Sequence, residues 1–215
     1  MKKLSWLWVL LLVLGLAFGL SLGSCTSGGG GGKNNNDDDT ADDDAADDDA
    51  ADDDTEQFDV TIDQFTGPQL VIYYGGQIQG EIMSQLAMTA DHLMLFGASL
   101  VAPGTFTIDY DYNNPPTNID PAILLVLGWN LANPSQYTEA YFAYNAGVKV
   151  DNSGTTEGAQ FTAAATEIKM IQAELTVQGQ NILIGINPAG KKALVHLGFY
   201  NCQVSTNINN PHLCQ

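Results

Sequence analysis

The chain contains no arginine, and its seven lysines are outnumbered by 25 acidic residues, so that the formal net charge is −18 at pH 7. Binding to nucleic acid depends on clusters of basic side chains, and this sequence has no such cluster. An acidic chain is also repelled by anionic lipid headgroups. The composition therefore excludes an electrostatic interface with nucleic acid, and attachment to a membrane must depend on apolar groups.

The short motifs of common catalytic sites are also missing. The sequence has no H-E-x-x-H and no C-x-x-C pattern, and residues 97–101 lack the second glycine of a nucleophile elbow. The three histidines, His92, His196 and His212, are far apart in the sequence, so they do not predict a metal site. We therefore predict that the protein is not an enzyme. A hydrolase with an unrecognised site is the alternative.

The first 25 residues have the order of a secretory leader. Two lysines follow Met1, an uncharged apolar stretch covers residues 4–20, and small residues precede Cys25. This order is typical of a signal peptide, although a retained transmembrane helix of minimal length is the alternative. Leu22-Gly23-Ser24-Cys25 resembles the lipobox of bacterial lipoproteins. The resemblance implies cleavage before Cys25 and acylation of its thiol and of the new amino terminus.

Lipidation defines the predicted organisation of the chain. Residues 1–24 are the signal peptide, residues 25–56 are the lipidated cysteine and a tether, and residues 57–215 are the folded domain. Several acyl chains, as the resemblance implies, are enough for stable anchoring, whereas one chain is marginal. Thr26 stands where bacterial lipoproteins retained at the inner membrane carry aspartate. The resemblance thus implies the outer membrane, with the domain facing the periplasm or the cell exterior.

The tether is a low-complexity segment. Residues 28–32 are all glycine, and aspartate triplets follow at 37–39, 42–44, 47–49 and 52–54. No apolar side chain larger than alanine is present, so nothing offsets the entropy lost on ordering, and the like charges repel one another. We predict a flexible, extended tether. The triplets lack the alternating ligands and the turn glycine of a calcium loop, so they predict loosely held counterions rather than a calcium site.

The folded domain has the pattern of a β protein. Residues 58–63 and 104–112 alternate between polar and apolar side chains, and residues 122–127 form a continuous apolar run that suits a strand buried on both faces. Short strands separated by polar turns predict an all-β fold, an antiparallel β-sandwich of jelly-roll type.

Two segments of the domain need a specific interpretation. Residues 137–144 and 148–150 flank Asn145-Ala146-Gly147, which predicts a hairpin. Residues 161–177 predict one long strand, or two strands joined at a bulge, because the phase of the alternation slips. A helix is the alternative over residues 159–177, but the β-branched residues spread through it favour a strand.

The two remaining cysteines, Cys202 and Cys214, predict a disulfide, because an even pair outside the cytoplasm is usually bridged. The loop between them is polar and rich in asparagine, and so does little to hold itself in place. Two free thiols are the alternative.

A candidate calcium site lies in the segment after residue 108. Asp109, Asp111, Asn113 and Asp120 have the spacing of the first, third, fifth and last ligands of an EF-hand loop. The sixth position is Asn114 instead of glycine, and two prolines follow it. An amphipathic strand that ends in a proline turn is therefore the preferred interpretation, with no cofactor required.

A candidate sugar-binding surface is the second alternative. Trp129 is the one tryptophan outside the leader, and Tyr141 and Tyr144 follow it in a predicted strand. Exposed rings on a β-sandwich can stack on a sugar, although aromatic residues in strands more often form the core.

Four segments, at 104–108, 140–150, 158–162 and 167–173, resemble a β-rich domain found in predicted lipoproteins of myxobacteria-like species that also carry aspartate-rich tethers. The resemblance covers residues 100–202. It implies the β fold and the envelope location, but no activity. The relatives often have more cysteines between these segments, and this chain has none there. The sequence thus predicts a lipid-anchored binding or structural module whose partner is a glycan or an envelope protein.

Overall fold

The computed structural model describes residues 56–178, 181–208 and 211–214. The predicted leader, Cys25 and nearly all of the tether lie outside these residues, and the predictions made for them stay predictions. Among the described residues, no helix is both long and apolar enough to cross a membrane.

The domain consists of eleven strands and one 3-10 turn, Ser99–Val101. The strands are β1 (Val60–Ile62), β2 (Gln69–Tyr74), β3 (Gln77–Met83), β4 (Thr89–Gly97), β5 (Gly104–Asp109), β6 (Ala122–Asn130), β7 (Glu139–Asn152), β8 (Gln160–Gln178), β9 (Asn181–Ile186), β10 (Lys192–Ser205) and β11 (Leu213–Cys214).

All eleven strands belong to one mixed sheet. Neighbouring strands from β2 through β3, β4, β6, β7 and β8 to β10 are antiparallel, and β10 returns to β2 through a short parallel pairing, so these strands form a closed ring. The prediction of an all-β fold is confirmed. The sheet is not purely antiparallel, because β1 and β2 both run parallel to β10.

Two clusters of apolar side chains use opposite faces of the same strands. Leu93 and Leu95 of β4 belong to the main core, together with Tyr141 of β7, whereas Met94 and Phe96 belong to a second cluster. The strand β6 contributes in the same alternating way to both clusters. The prediction that residues 122–127 form a strand buried on both faces is confirmed, because the whole run from Ala122 to Val126 is buried.

The predicted hairpin at residues 145–147 is wrong. The strand β7 continues through these residues, because β8 pairs with one of its edges while β6 and then β5 pair with the other. The register shifts around Asn145 and Gly147 accommodate the turn-prone residues within the strand.

The phase slip in residues 161–177 has a structural basis. The strand β8 is continuous, as the strand interpretation predicts, and Glu167 adopts a positive φ of 48°. Thr166 and Glu167 are both exposed, so the alternation restarts with buried Ile168. The bulge expected from the sequence is confirmed at Glu167.

Candidate ligand-binding site

The three rings predicted to stack on a sugar are buried. Trp129 is 2% exposed and donates its indole N–H to the carbonyl of Pro134 over 3.1 Å, and Tyr141 and Tyr144 are also buried. The hydroxyl of Tyr141 donates to the carboxylate of Glu139, and burial together with this hydrogen bond raises the pKa of Tyr141. The prediction of an exposed stacking surface is therefore wrong, because these residues fill the core on both faces of the sheet.

The candidate calcium ligands have separate partners. Asp109 accepts a hydrogen bond from the side chain of Asn145 at 3.2 Å, and Asp111 accepts from the backbone and side chain of Asn113 at 2.9 Å. Asp120 accepts from the backbone N–H of Ser99 at 3.2 Å and from its hydroxyl at 2.9 Å. In the described part of the chain, no three histidine, cysteine or acidic side chains form a group suited to a metal ion. The structure does not bring these four residues together as an EF-hand loop would.

Each histidine is paired with a different glutamate. His196 lies 3.0 Å from Glu167 and His212 lies 2.6 Å from Glu157, both at the surface, whereas His92 is fully buried and paired with Glu81. The sequence gave no reason to separate His92 from the other two. The structure does so, because its whole imidazole is enclosed.

The disulfide between Cys202 and Cys214 is present, as predicted, with an S–S distance of 2.02 Å. It joins β10 to the short strand β11, which pairs with β2. The end of the described chain is thus held against the ring of strands.

Glu157 holds the loop that follows β10. Its carboxylate accepts a hydrogen bond from the backbone N–H of Thr206 at 2.6 Å and from the hydroxyl of Thr206 at 2.8 Å, and it lies 2.6 Å from Nε2 of His212. The bonds from Thr206, above all the backbone bond, lower the pKa of Glu157 from its ordinary 4.5 to about 2.

We expect the stability that Glu157 provides to depend on pH. A lowered folded-state pKa means that the contribution is fully present above the unfolded pKa of 4.5 and is lost as the pH falls towards about 2. Urea unfolding near pH 6, 4 and 2 should therefore show Glu157→Gln to be less stable than the wild type at pH 6 and equal to it at pH 2. Glu174→Gln, on the exposed side of β8, is the control. A difference that stays the same at all three pH values contradicts this assignment.

A small pocket lies over the middle of β3, on the side of the sheet opposite the main core. We call it the β3 pocket. Its lining comes from Leu70 and Ile72 of β2, Gln79, Gly80 and Glu81 of β3, and Met94, Leu95 and Phe96 of β4.

The lining of the β3 pocket is ordered in two cross-strand rows. Ile72, Gln79 and Phe96 form one row, and Leu70, Glu81 and Met94 form the next. Residues directly opposite each other in a sheet have Cβ atoms about 5 Å apart. The polar residues of β3 therefore lie between apolar walls supplied by β2 and β4.

Gln79 is the exceptional residue of the β3 pocket. It is only 5% exposed, and neither the N–H₂ nor the oxygen of its amide has a hydrogen-bond partner. A buried polar group without a partner costs free energy and normally has an explanation in function or in a bound molecule. The amide can donate and accept at the same time, so it can bind a ligand but has no means of attacking one.

Glu81 and His92 form a second polar element beside the β3 pocket. The carboxylate of Glu81, which is 4% exposed, pairs with Nδ1 of His92. Nε2 of His92 has no partner, and the imidazole meets the ring of Trp129 edge-on, with 5.1 Å between the ring centroids. No nucleophilic side chain accompanies the pair in the lining of the β3 pocket, so the described geometry favours binding over nucleophilic catalysis.

The sequence analysis missed Gln79 and Glu81. In β3 they alternate with Ile78 and Ile82, which is the pattern of a strand with one face in solvent. A usable signal lies in the flanking strands: residues 70–72 and 93–96 are apolar without interruption. Neighbours that are apolar on both faces imply that the polar face of β3 is covered as well.

Comparison with known proteins adds no relative: no family model, no curated protein and no solved structure matches the chain.

Proposed function

We propose that this protein is a lipid-anchored protein of the bacterial outer membrane, which presents a binding domain on a flexible acidic tether. The lipobox-like residues 22–25 support the anchor, and the aspartate triplets support the tether. The domain is proposed to bind a ligand or an envelope protein rather than to catalyse a reaction. The sandwich arrangement of the strands, as two facing layers within the ring, belongs to the same proposal.

The observation that carries the binding function is the unpartnered amide of Gln79 between the apolar walls of the β3 pocket. Binding sites for small molecules are concave and mostly apolar, with a few polar groups that fix the orientation of the ligand. A glycan that stacks on Trp129, Tyr141 and Tyr144 is not part of this proposal, because all three rings are buried.

The anchor can be tested by labelling the full chain with an alkyne analogue of palmitate in a Gram-negative host. We expect the wild type to incorporate the label and to lose residues 1–24, as measured by the mass of its first peptide. We expect Cys25→Ser to do neither, because the acylated thiol is absent.

Two further variants serve as controls for the anchor. Cys202→Ser should still be labelled, since its thiol is not in the lipobox. Thr26→Asp should be labelled but should move to the inner membrane, if sorting in the host follows the aspartate rule. An unlabelled wild-type protein that keeps Met1 would overturn the proposed anchor.

A further inference from the structure

We propose that the β3 pocket binds a neutral, apolar chain that carries an amide group, and that Gln79 recognises this amide through two hydrogen bonds. The inference rests on the proposed binding function but is independent of the lipid anchor.

The first argument is the location of the unsatisfied groups. Among the described residues, the buried side-chain atoms without a hydrogen-bond partner are the two polar atoms of Gln79 and Nε2 of His92. Both residues project from the same side of the sheet, on adjacent strands, near the β3 pocket. Buried polar groups in folded proteins are almost always satisfied. The concentration of the exceptions at one place indicates a site that is completed by another molecule.

The second argument is the chemistry of the amide. Gln79 offers two N–H donors and one carbonyl acceptor. A carboxylate supplies only acceptors and an ammonium only donors, so neither satisfies both ends of the Gln79 side chain. An amide in the ligand supplies one N–H and one C=O in the same plane, and it pairs with both ends of the Gln79 amide at once.

The third argument is the surroundings of Gln79. Ile72 and Phe96 lie directly opposite it on the two neighbouring strands, and Leu70 and Met94 flank the next row. These four side chains are buried, so a ligand that contacts them must be apolar on both sides of its amide. Glu81 lies two residues from Gln79 on the same face, about 6.8 Å along the strand. Its carboxylate disfavours an anionic ligand, as does the net charge of −18.

Two sources have this chemistry: a fatty amide and an apolar peptide. Both place an amide within an apolar chain, and the described residues bind the part that the two have in common. The experiment therefore uses one probe of each kind.

The test is photolabelling of the full chain in the membranes of the expressing host. The probes are decanamide with a diazirine on its chain, and N-acetyl-trileucine amide with one photoactivatable leucine. We expect at least one probe to label residues of β2 or β4 that line the β3 pocket, with unlabelled decanamide competing and decanoic acid failing to compete. Labelling by decanamide alone identifies a lipid-like ligand, and labelling by the peptide alone identifies an apolar peptide.

The decisive variant is Gln79→Leu, which keeps the size of the side chain and removes both hydrogen bonds. We expect at least tenfold weaker labelling, together with a higher melting temperature, because the unsatisfied amide is gone from the empty site. The matched control is Gln203→Leu, an exposed glutamine on β10, which should label as the wild type does.

The proposal is overturned if labelling of the β3 pocket is absent, if Gln79→Leu labels as strongly as the wild type, or if decanoic acid competes as well as decanamide. Failure of this test leaves incorporation of palmitate at Cys25 unaffected, so it is distinguishable from failure of the proposed anchor.

Discussion

Glu81→Leu is expected to lower the free energy of unfolding by about 3–5 kcal/mol, the usual cost of removing one partner of a buried pair. The reason is that His92 has no exposed surface, and Glu81 supplies the hydrogen bond to its Nδ1. Without Glu81, both ring nitrogens of a fully enclosed imidazole would lack a partner, because Nε2 already lacks one. Urea unfolding, followed by circular dichroism at neutral pH, measures the change.

A double-mutant cycle separates the pair from the packing around it. His92→Leu alone should also destabilise the protein, because it leaves the carboxylate of Glu81 buried without its partner. The double variant Glu81→Leu/His92→Leu should be much more stable than the sum of the single changes predicts, since an apolar pair of similar size often replaces a buried polar pair at little cost. Additive effects, with no coupling between the two positions, would show that the Glu81–His92 contact does not stabilise the fold.

Loss of the disulfide is expected to have the next largest effect. The variant Cys202→Ser/Cys214→Ser should lose about 3 kcal/mol of stability, because cross-linking a loop of this size restricts the unfolded chain by about that amount in the chain-entropy model. The strand β11 has only two residues, so it depends on this bridge to stay paired with β2. Urea unfolding under oxidising conditions compares the variant with the wild type.

The control for the disulfide is a reducing agent. Dithiothreitol should destabilise the wild type to the level of the double variant and should leave the double variant unchanged. Equal stability of the oxidised and reduced wild type would mean that the loop between β10 and β11 is held by other contacts, such as the bonds of Glu157 to Thr206.

Local sequence patterns predicted much of the fold. The apolar run at residues 122–127 became β6, buried on both faces, and the phase slip became the bulge at Glu167. Both predictions succeeded because the alternation of side chains across a strand is a local property of the backbone. The hairpin at residues 145–147 failed, because pairing along both edges of β7 overrode a local turn signal.

The candidate site could not be predicted in the same way. Gln79 and Glu81 alternate with isoleucines as solvent-facing residues do, and only the register between β2, β3 and β4 places them between apolar side chains. Trp129, Tyr141 and Tyr144 show the converse error. A ring in a strand can lie on either face, and burial of both faces of β6 and β7 decided their position.

The sequence by itself determined the all-β class, the disulfide partners and the lack of a basic surface, because each depends on composition or on the period of a single strand. Only the tertiary structure decided that β1 and β2 run parallel to β10, that the strands form a ring, and that a glutamine and a Glu–His pair are enclosed on its outer side. Those features depend on which strands become neighbours, and the pairing of distant segments is set by the packing of the whole sheet rather than by any one stretch of residues.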